Sequence, residues 1–323
     1  MLKAYDFSKF REAGSMSGSN SFNREENETA RRLVTRLVEK EQETDHTCTV
    51  CGSSHTVLFF EKWGVPYYRC EKCDSIFVKT SPEILNRYKK YDALIQLRTS
   101  PEYQQEESSS RSLVWEELVD WVRFRTFRYS GKNENLHVID YGNRYEGLVD
   151  LIRKSGLCSR YELRDSILNS ENGEQITDAD IILYFNKIQQ SLQPLLDLKE
   201  TYDALKPDGL LFFSTRIGTG FDILTLKGEA KIFPYEHVLL PSLQGLQILL
   251  KKAGFQMLEY STPGRKDIEY VCEHKEAIGP DSCFLKYMIE RGNEVTYTDF
   301  QRFLQKSGLS SHAQIVAKKE KQT

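Results

Sequence analysis

HVIDYGNRYEG, residues 137–147, is the stretch on which the fold turns. The apolar pair Val138 and Ile139 runs into Asp140 and Gly142, and a helix-like apolar stretch, LVDLI, follows. A strand, a tight turn and a helix start in that order form the place where many enzymes hold a nucleotide. Loops of this kind usually carry several small residues, and here Arg144 and Glu146 stand where further glycines are expected. Their side chains either point away and leave a site, or point in and fill it.

Downstream, strands and helices alternate. RYEL, ADIILYF (179–185), GLLFFST and FQMLEYS read as strands, and HAQIVAKK as the last one. SLQPLLDLKETYDAL, SLQGLQILLKKAG (242–254) and TDFQRFLQKSG read as helices, two of them closed by glycine. Apolar strands between amphipathic helices predict an α/β fold: a mostly parallel sheet covered on both faces.

Upstream the composition differs. Residues 1–23, rich in Ser, Gly and Asn, are expected to be a loosely ordered arm. Residues 24–42 predict a charged helix with an apolar stripe of Ala30, Leu33, Val34 and Leu37. Residues 81–133 predict helices, interrupted by a mobile loop at TSPEYQQEESSS. The expected division is 1–45 for arm and helix, 46–80 for a ribbon, 81–133 for a helical spacer and 134–323 for the α/β domain.

The ribbon has the spacing C-x2-C, eighteen residues, C-x2-C, with Cys48, Cys51, Cys70 and Cys73. Four thiolates so arranged suit a tetrahedral Zn²⁺ with Zn–S near ~2.3 Å. With all four positions filled by protein, such a zinc is structural. VLFF and PYYR predict two strands joined by the turn WGVP, and SIFV a third. Cys158, Cys272 and Cys283 complete an odd total of seven, which argues against a secreted disulfide framework.

The chain of 323 residues is 39% hydrophobic and 28% charged with a net charge of -3. That balance excludes a polybasic membrane anchor and argues against nucleic acid as a partner. No run approaches the ~20 apolar residues of a membrane span, and the first residues lack the apolar core of a signal peptide. A cytoplasmic protein is expected.

The order of parts resembles class I S-adenosylmethionine-dependent methyltransferases. It is closest to the branch with an N-terminal four-cysteine zinc module, which includes sugar C-methyltransferases and proteins encoded among polysaccharide-biosynthesis enzymes. The resemblance spans roughly residues 45–320. It rests on LKETYDALKPDGLLFFSTRIGTGFDILTL, FPYEHVLLPSLQGLQILLKKAGF and FQRFLQKSGLSSHAQIVAKK. It implies a Rossmann-like sheet of seven strands with the last antiparallel, and a cofactor site at the carboxyl ends of the first and fourth. Asp140, Gly142 and Asn143, then Phe185 and Asn186, fall there. An acidic residue ending the second strand would bind the ribose; Glu162 and Asp165 both suit, each with an exposed carboxylate as the alternative. Gln189 and Gln190 replace a Glu-His pair of the family, so a catalytic base must lie elsewhere, and His237 in FPYEHVLLPS is the candidate. The implied acceptor is a sugar or nucleotide-sugar. The alternative is an inactive scaffold that binds a protein partner through its ribbon and N-terminal helix.

Overall fold

The computed structural model describes residues 21–38, 47–141, 146–164 and 178–320. α1 (Ser21–Val38) buries the predicted stripe of Ala30, Leu33, Val34 and Leu37. In the ribbon, β1 (Thr56–Lys62) and β2 (Val65–Cys70) form an antiparallel hairpin. Its turn is the pair Trp63 and Gly64, with φ 53° and 86°, the two-residue turn whose twist matches that of paired strands. The expected turn WGVP is thus shorter than predicted, because Val65 and Pro66 already belong to β2. β3 (Ile76–Phe77) follows.

The spacer contains α2 (Pro82–Lys89), α3 (Asp92–Thr99) and α4 (Pro101–Ser130). The loop expected at residues 99–110 is helix instead. Ser100 caps α4 by accepting from Tyr103 N, Pro101 starts its first turn, and Ser109 Oγ bonds back to Gln105 O. The Ser100 cap and Pro101 in the first turn outweigh the weak helix preference of a serine run. α4 ends at Gly131 with φ 70°.

The α/β domain begins with β4 (Leu136–Tyr141), α5 (Glu146–Lys154), β5 (Cys158–Arg164), β6 (Ala179–Phe185), α6 (Pro194–Ala204) and β7 (Leu205–Arg216). It continues with α7 (Phe221–Leu226), β8 (Leu239–Leu240), α8 (Leu243–Lys252) and β9 (Phe255–Ser261). α9 (Asp267–Glu273), α10 (Cys283–Arg291), α11 (Glu294–Lys306) and β10 (His312–Lys319) complete it.

The large sheet has the order β5-β4-β6-β7-β10-β9. β5, β4, β6 and β7 run parallel, and β10 is antiparallel to both β7 and β9. This is a Rossmann-like α/β sheet with an antiparallel last strand. Among the described residues it has six strands, one fewer than the seven expected; residues 165–177, between β5 and β6, lie outside the described residues.

Alternation of side chains splits the core in two. Ile139, Tyr141, Ile182, Tyr184, Leu211 and Phe213 pack toward α6 and α8. Val138, Ile181, Leu183, Phe185, Leu210 and Phe212 pack toward α4 and α5, where Trp121 meets Phe212 edge-on at 5.1 Å. The ribbon is shared between cores: Cys48, Cys70, Cys73 and Phe77 lie in the first of these, while Phe60, Val65, Tyr67 and Ile76 lie in a third cluster with α1 and α2. β3 also pairs with β8, Ile76 against Leu240 and Phe77 against Leu239. Lys62 completes the join by donating to Gly228 O and Ala230 O, each at 2.8 Å. Burial brings its ammonium down to about 8.

Gly147 shows a packing demand rather than a ligand's. A Cβ there would lie 2.5 Å from the Trp115 ring, so α5 starts closer to α4 than any other residue permits. Gly147→Ala is expected to cost about 1–3 kcal/mol of stability through overpacking, read as a lower urea midpoint with an unchanged slope.

Candidate functional site at the carboxyl edge of the sheet

The open edge of a parallel sheet collects the ends of β4, β5, β6 and β7, and ligands of such sheets bind there. Because β10 is antiparallel, its first residue, His312, joins the same edge opposite Arg216. α4 walls this edge. Its far end lies at the opposite edge, where Lys132 bonds Asp180 at 2.9 Å. Thirty residues of helix span about 45 Å and seven of strand about 23 Å, so the first half of α4 projects past the carboxyl edge. Arg111, in that half, is close enough to influence the charge of His312.

Asp140 and Phe185 face the α4 side of the sheet. Asp140 is fully buried and accepts a 2.6 Å hydrogen bond from Tyr161 Oη. Burial and the neighbouring Asp140 charge push the Tyr161 phenol far up, so Tyr161 remains a donor. Phe185 is buried in the apolar layer beneath. Asn186 follows with φ 56°, a turn conformation that Asn tolerates, and its N–H donates to Ser214 O at 2.8 Å.

Glu162, one residue from Tyr161, lies on the opposite face. His137 Nε2 is 2.9 Å from Oε1, Arg160 reaches the same oxygen at 2.5 Å, and Arg164 donates to Oε2 at 2.6 Å. Burial opposes ionisation, but Arg164, His137 and Arg160 outweigh it and hold this carboxyl below the usual range. The structure therefore puts Asp140 and Phe185 on one face of the sheet and Glu162 on the other. Gly142, Asn143, Arg144 and Asp165 lie outside the described residues, as does the side chain of Glu146.

His237 is buried in the loop between α7 and β8. Its Nδ1 lies 3.0 Å from Phe233 N, which donates to it, and 3.2 Å from Phe233 O. The neighbouring Glu236 accepts from Tyr88 Oη at 2.8 Å and from Arg98 at 2.5 Å, and Arg98 also donates to Glu26 at 2.6 Å. The His237 loop is thus tied to α1, α2 and α3. Gln189 is buried and accepts from Arg216 N at 3.4 Å, which fixes the end of β6 against the end of β7.

Three groups at this edge escaped the sequence reading: Tyr161, Arg216 and His312. Arg216 pairs with the buried Asp222 and donates to Lys231 O at 2.6 Å. Burial raises the Asp222 carboxyl; Arg216 opposes that rise and Asp267 adds to it. His312 is half-buried, and burial with the nearby Arg216 and Arg111 brings it down to about 4, against an opposing effect of Asp267. It is a neutral imidazole at pH 7. The signal for His312 was its place as first residue of a strand predicted to be antiparallel. The glycines of RIGTGFD serve close packing, since a Cβ on Gly220 would lie 2.4 Å from Ser311 Cα.

The second cluster is the cysteine set. The sulfurs of Cys48, Cys51, Cys70 and Cys73 all lie within 4.8 Å of one another, with Cys48 to Cys73 at 3.7 Å and Cys51 to Cys70 at 3.5 Å. A tetrahedron with ~2.3 Å metal–sulfur bonds has edges of about 3.8 Å, so the donor set fits a tetrahedral ion. Each knuckle closes alike: Gly52 N donates to Cys48 O and Asp74 N to Cys70 O, both at 2.9 Å. Gly52 and Asp74 both take positive φ, 81° and 57°, and Arg69 secures Asp74 with a 2.7 Å ion pair.

No family model and no curated protein matches the chain. It is similar in part to solved structures. A SAM dependent methyltransferase from Archaeoglobus fulgidus is 13% identical over 63% of this chain and 94% of that one, with a TM-score of 0.41. The [4+2]-cyclase SpnF is 14% identical over 64% and 81%, with a TM-score of 0.36. Coclaurine N-methyltransferase bound to N-methylheliamine and SAH is 15% identical over 63% and 71%, with a TM-score of 0.35. At such values the fold assignment rests on the strand order itself. Among the described residues, no helix is long and apolar enough to cross a membrane.

Tyr161→Phe removes a donor from a buried carboxylate and is expected to cost about 1–3 kcal/mol of stability, measured by urea unfolding. A change within error would mean that Asp140 does not depend on this bond.

Proposed function

We propose that the chain is a class I S-adenosylmethionine-dependent methyltransferase acting on a sugar or nucleotide-sugar acceptor. The observation that carries this is the strand order, five strands of one direction with the antiparallel last strand inserted between β7 and β9, and the carboxyl edge walled by α4. The acceptor class comes from the resemblance of the ribbon and C-terminal segments alone.

Asp140, Gly142, Asn143, Phe185 and Asn186 would hold the cofactor, with Asp165 or Glu162 at its ribose. Of the two acids, Asp165 directly follows β5, whereas Glu162 is already engaged by three basic groups. When bound, the cofactor supplies an electrophilic methyl group on a sulfonium. The chain's part is to orient the acceptor and take its proton. His237 is assigned that proton because it lies in the loop where the resemblance places the acceptor side and imidazole is a general base suited to neutral pH.

Calorimetric titration with S-adenosylmethionine and S-adenosylhomocysteine tests the proposal. Micromolar affinity is expected, falling at least about 10-fold in Asp140→Asn. No heat at millimolar cofactor, with the protein folded, would overturn it. For His237→Gln, a loss of about 10²–10⁴ in turnover with cofactor affinity kept is expected.

The four cysteines would hold one structural Zn²⁺ per chain, measurable by elemental analysis. Because they share a core with the large sheet, metal removal or Cys70→Ser is expected to lower the unfolding midpoint of the whole chain by about 10 °C or more. A separate early transition confined to the ribbon would contradict that coupling.

A further inference from the structure

α4 carries two opposed stripes. Trp115, Val119, Trp121, Val122, Arg125 and Thr126 are buried against the sheet and α5. On the outer side Leu113, Val114, Phe124 and Phe127 are 51%, 49%, 56% and 59% exposed. Leu113, Glu116, Asp120, Phe124 and Phe127 follow one another at helical spacing of three and four, so they line one outward face. Large aromatic side chains left in water on the longest helix mark an interaction surface.

The charges on α4 state what the partner must be. Its first two-thirds carry Glu102, Glu106, Glu107, Glu116, Glu117 and Asp120 against the single Arg111. Its last third carries Arg123, Arg125 and Arg128 and no acid, and Lys132 follows. Glu117 is spent on Arg265 and Arg125 on Glu259 within the chain. Glu116, Asp120 and Arg123 remain as exposed charges on or beside the apolar stripe. A surface acidic at one end and basic at the other is complementary to itself when turned around.

We propose that α4 is the interface of a twofold-symmetric homodimer, two copies of the helix packing antiparallel. With the axis midway between Asp120 and Arg123, Asp120 of each copy faces Arg123 of the other, Glu116 lies level with Phe127, and the contact runs for about 20 Å along the helices. Arg123 of each copy then meets the acidic turn containing Glu116 and Asp120 of its partner. Parallel packing would set acid against acid and base against base, so charge fixes the direction as the apolar stripe fixes the face. The surface stripe lies opposite the buried one, so dimerisation leaves the carboxyl edge of each sheet open.

Sedimentation equilibrium on the full chain at about 100 μM tests this, since a dimer of even ~10 μM Kd is mostly formed there. Twice the chain mass is expected. Phe127→Asp and Arg123→Glu are each expected to weaken association at least about 10-fold while leaving the thermal midpoint of the monomer unchanged, because both side chains are exposed. Asp120→Arg weakens it similarly, and the double variant Asp120→Arg with Arg123→Glu restores it by exchanging the two signs. A wild-type monomer at that concentration overturns the proposal. So does a dimer indifferent to all three single variants, or one that the double exchange fails to rescue.

Discussion

Two residues of β3 lying against two of β8 join the cysteine ribbon to the segment that leads into α8. Ile76 and Phe77 extend from the second cysteine knuckle, and Leu239 and Leu240 sit between the His237 loop and α8. Two ladder pairs are a small contact by themselves. Their weight comes from what they align: Ser242 N donates to Ser75 Oγ at 3.1 Å, and Lys252 Nζ donates to Cys51 O at 3.2 Å. Gly245 admits Ser75 because a Cβ there would lie 2.3 Å from its Oγ. The ribbon is a buttress of α8, and an ion held by its cysteines would act as a clamp on the core that those cysteines share with the sheet.

The same junction orders the His237 loop. Val78 N donates to Val238 O at 2.8 Å, and Tyr235 is held at φ 68°, a costly angle for a buried aromatic residue. The surrounding contacts fix that angle: Tyr88 packs on the Tyr235 ring at 5.8 Å and bonds Glu236, while Arg98 bridges Glu236 to Glu26. α1, the spacer helices and the ribbon thus converge on one five-residue turn. Conformational strain is retained where several elements over-determine it, which is the condition for a precisely held side chain at a site.

Much of this was legible from sequence because it was written in periodicity. ADIILYF is β6 to the residue, and all four stripe residues of α1 are buried. The cysteine spacing placed four sulfurs in one cluster. What escaped was written in pairs far apart in the chain. Nothing local links Tyr161 to Asp140, or Arg98 to Glu26 and Glu236. α9 and α10 were missed because the residues between β9 and α11 lack a clear apolar period, and the first turns of α4 were read as loop because that stretch is polar where a capped helix starts.

The continuous α4 changes how the degenerate loop is understood. In a site that depends on glycines, backbone approach supplies the walls and small residues are indispensable. Here Trp115 is pressed onto Gly147 at the head of α5, and the projecting half of α4 encloses the carboxyl edge from the side. Asp140 is held from the neighbouring strand by a hydrogen bond from Tyr161. If the cofactor binds as proposed, a helix and a tyrosine would carry part of the positioning that the resemblance assigns to the loop.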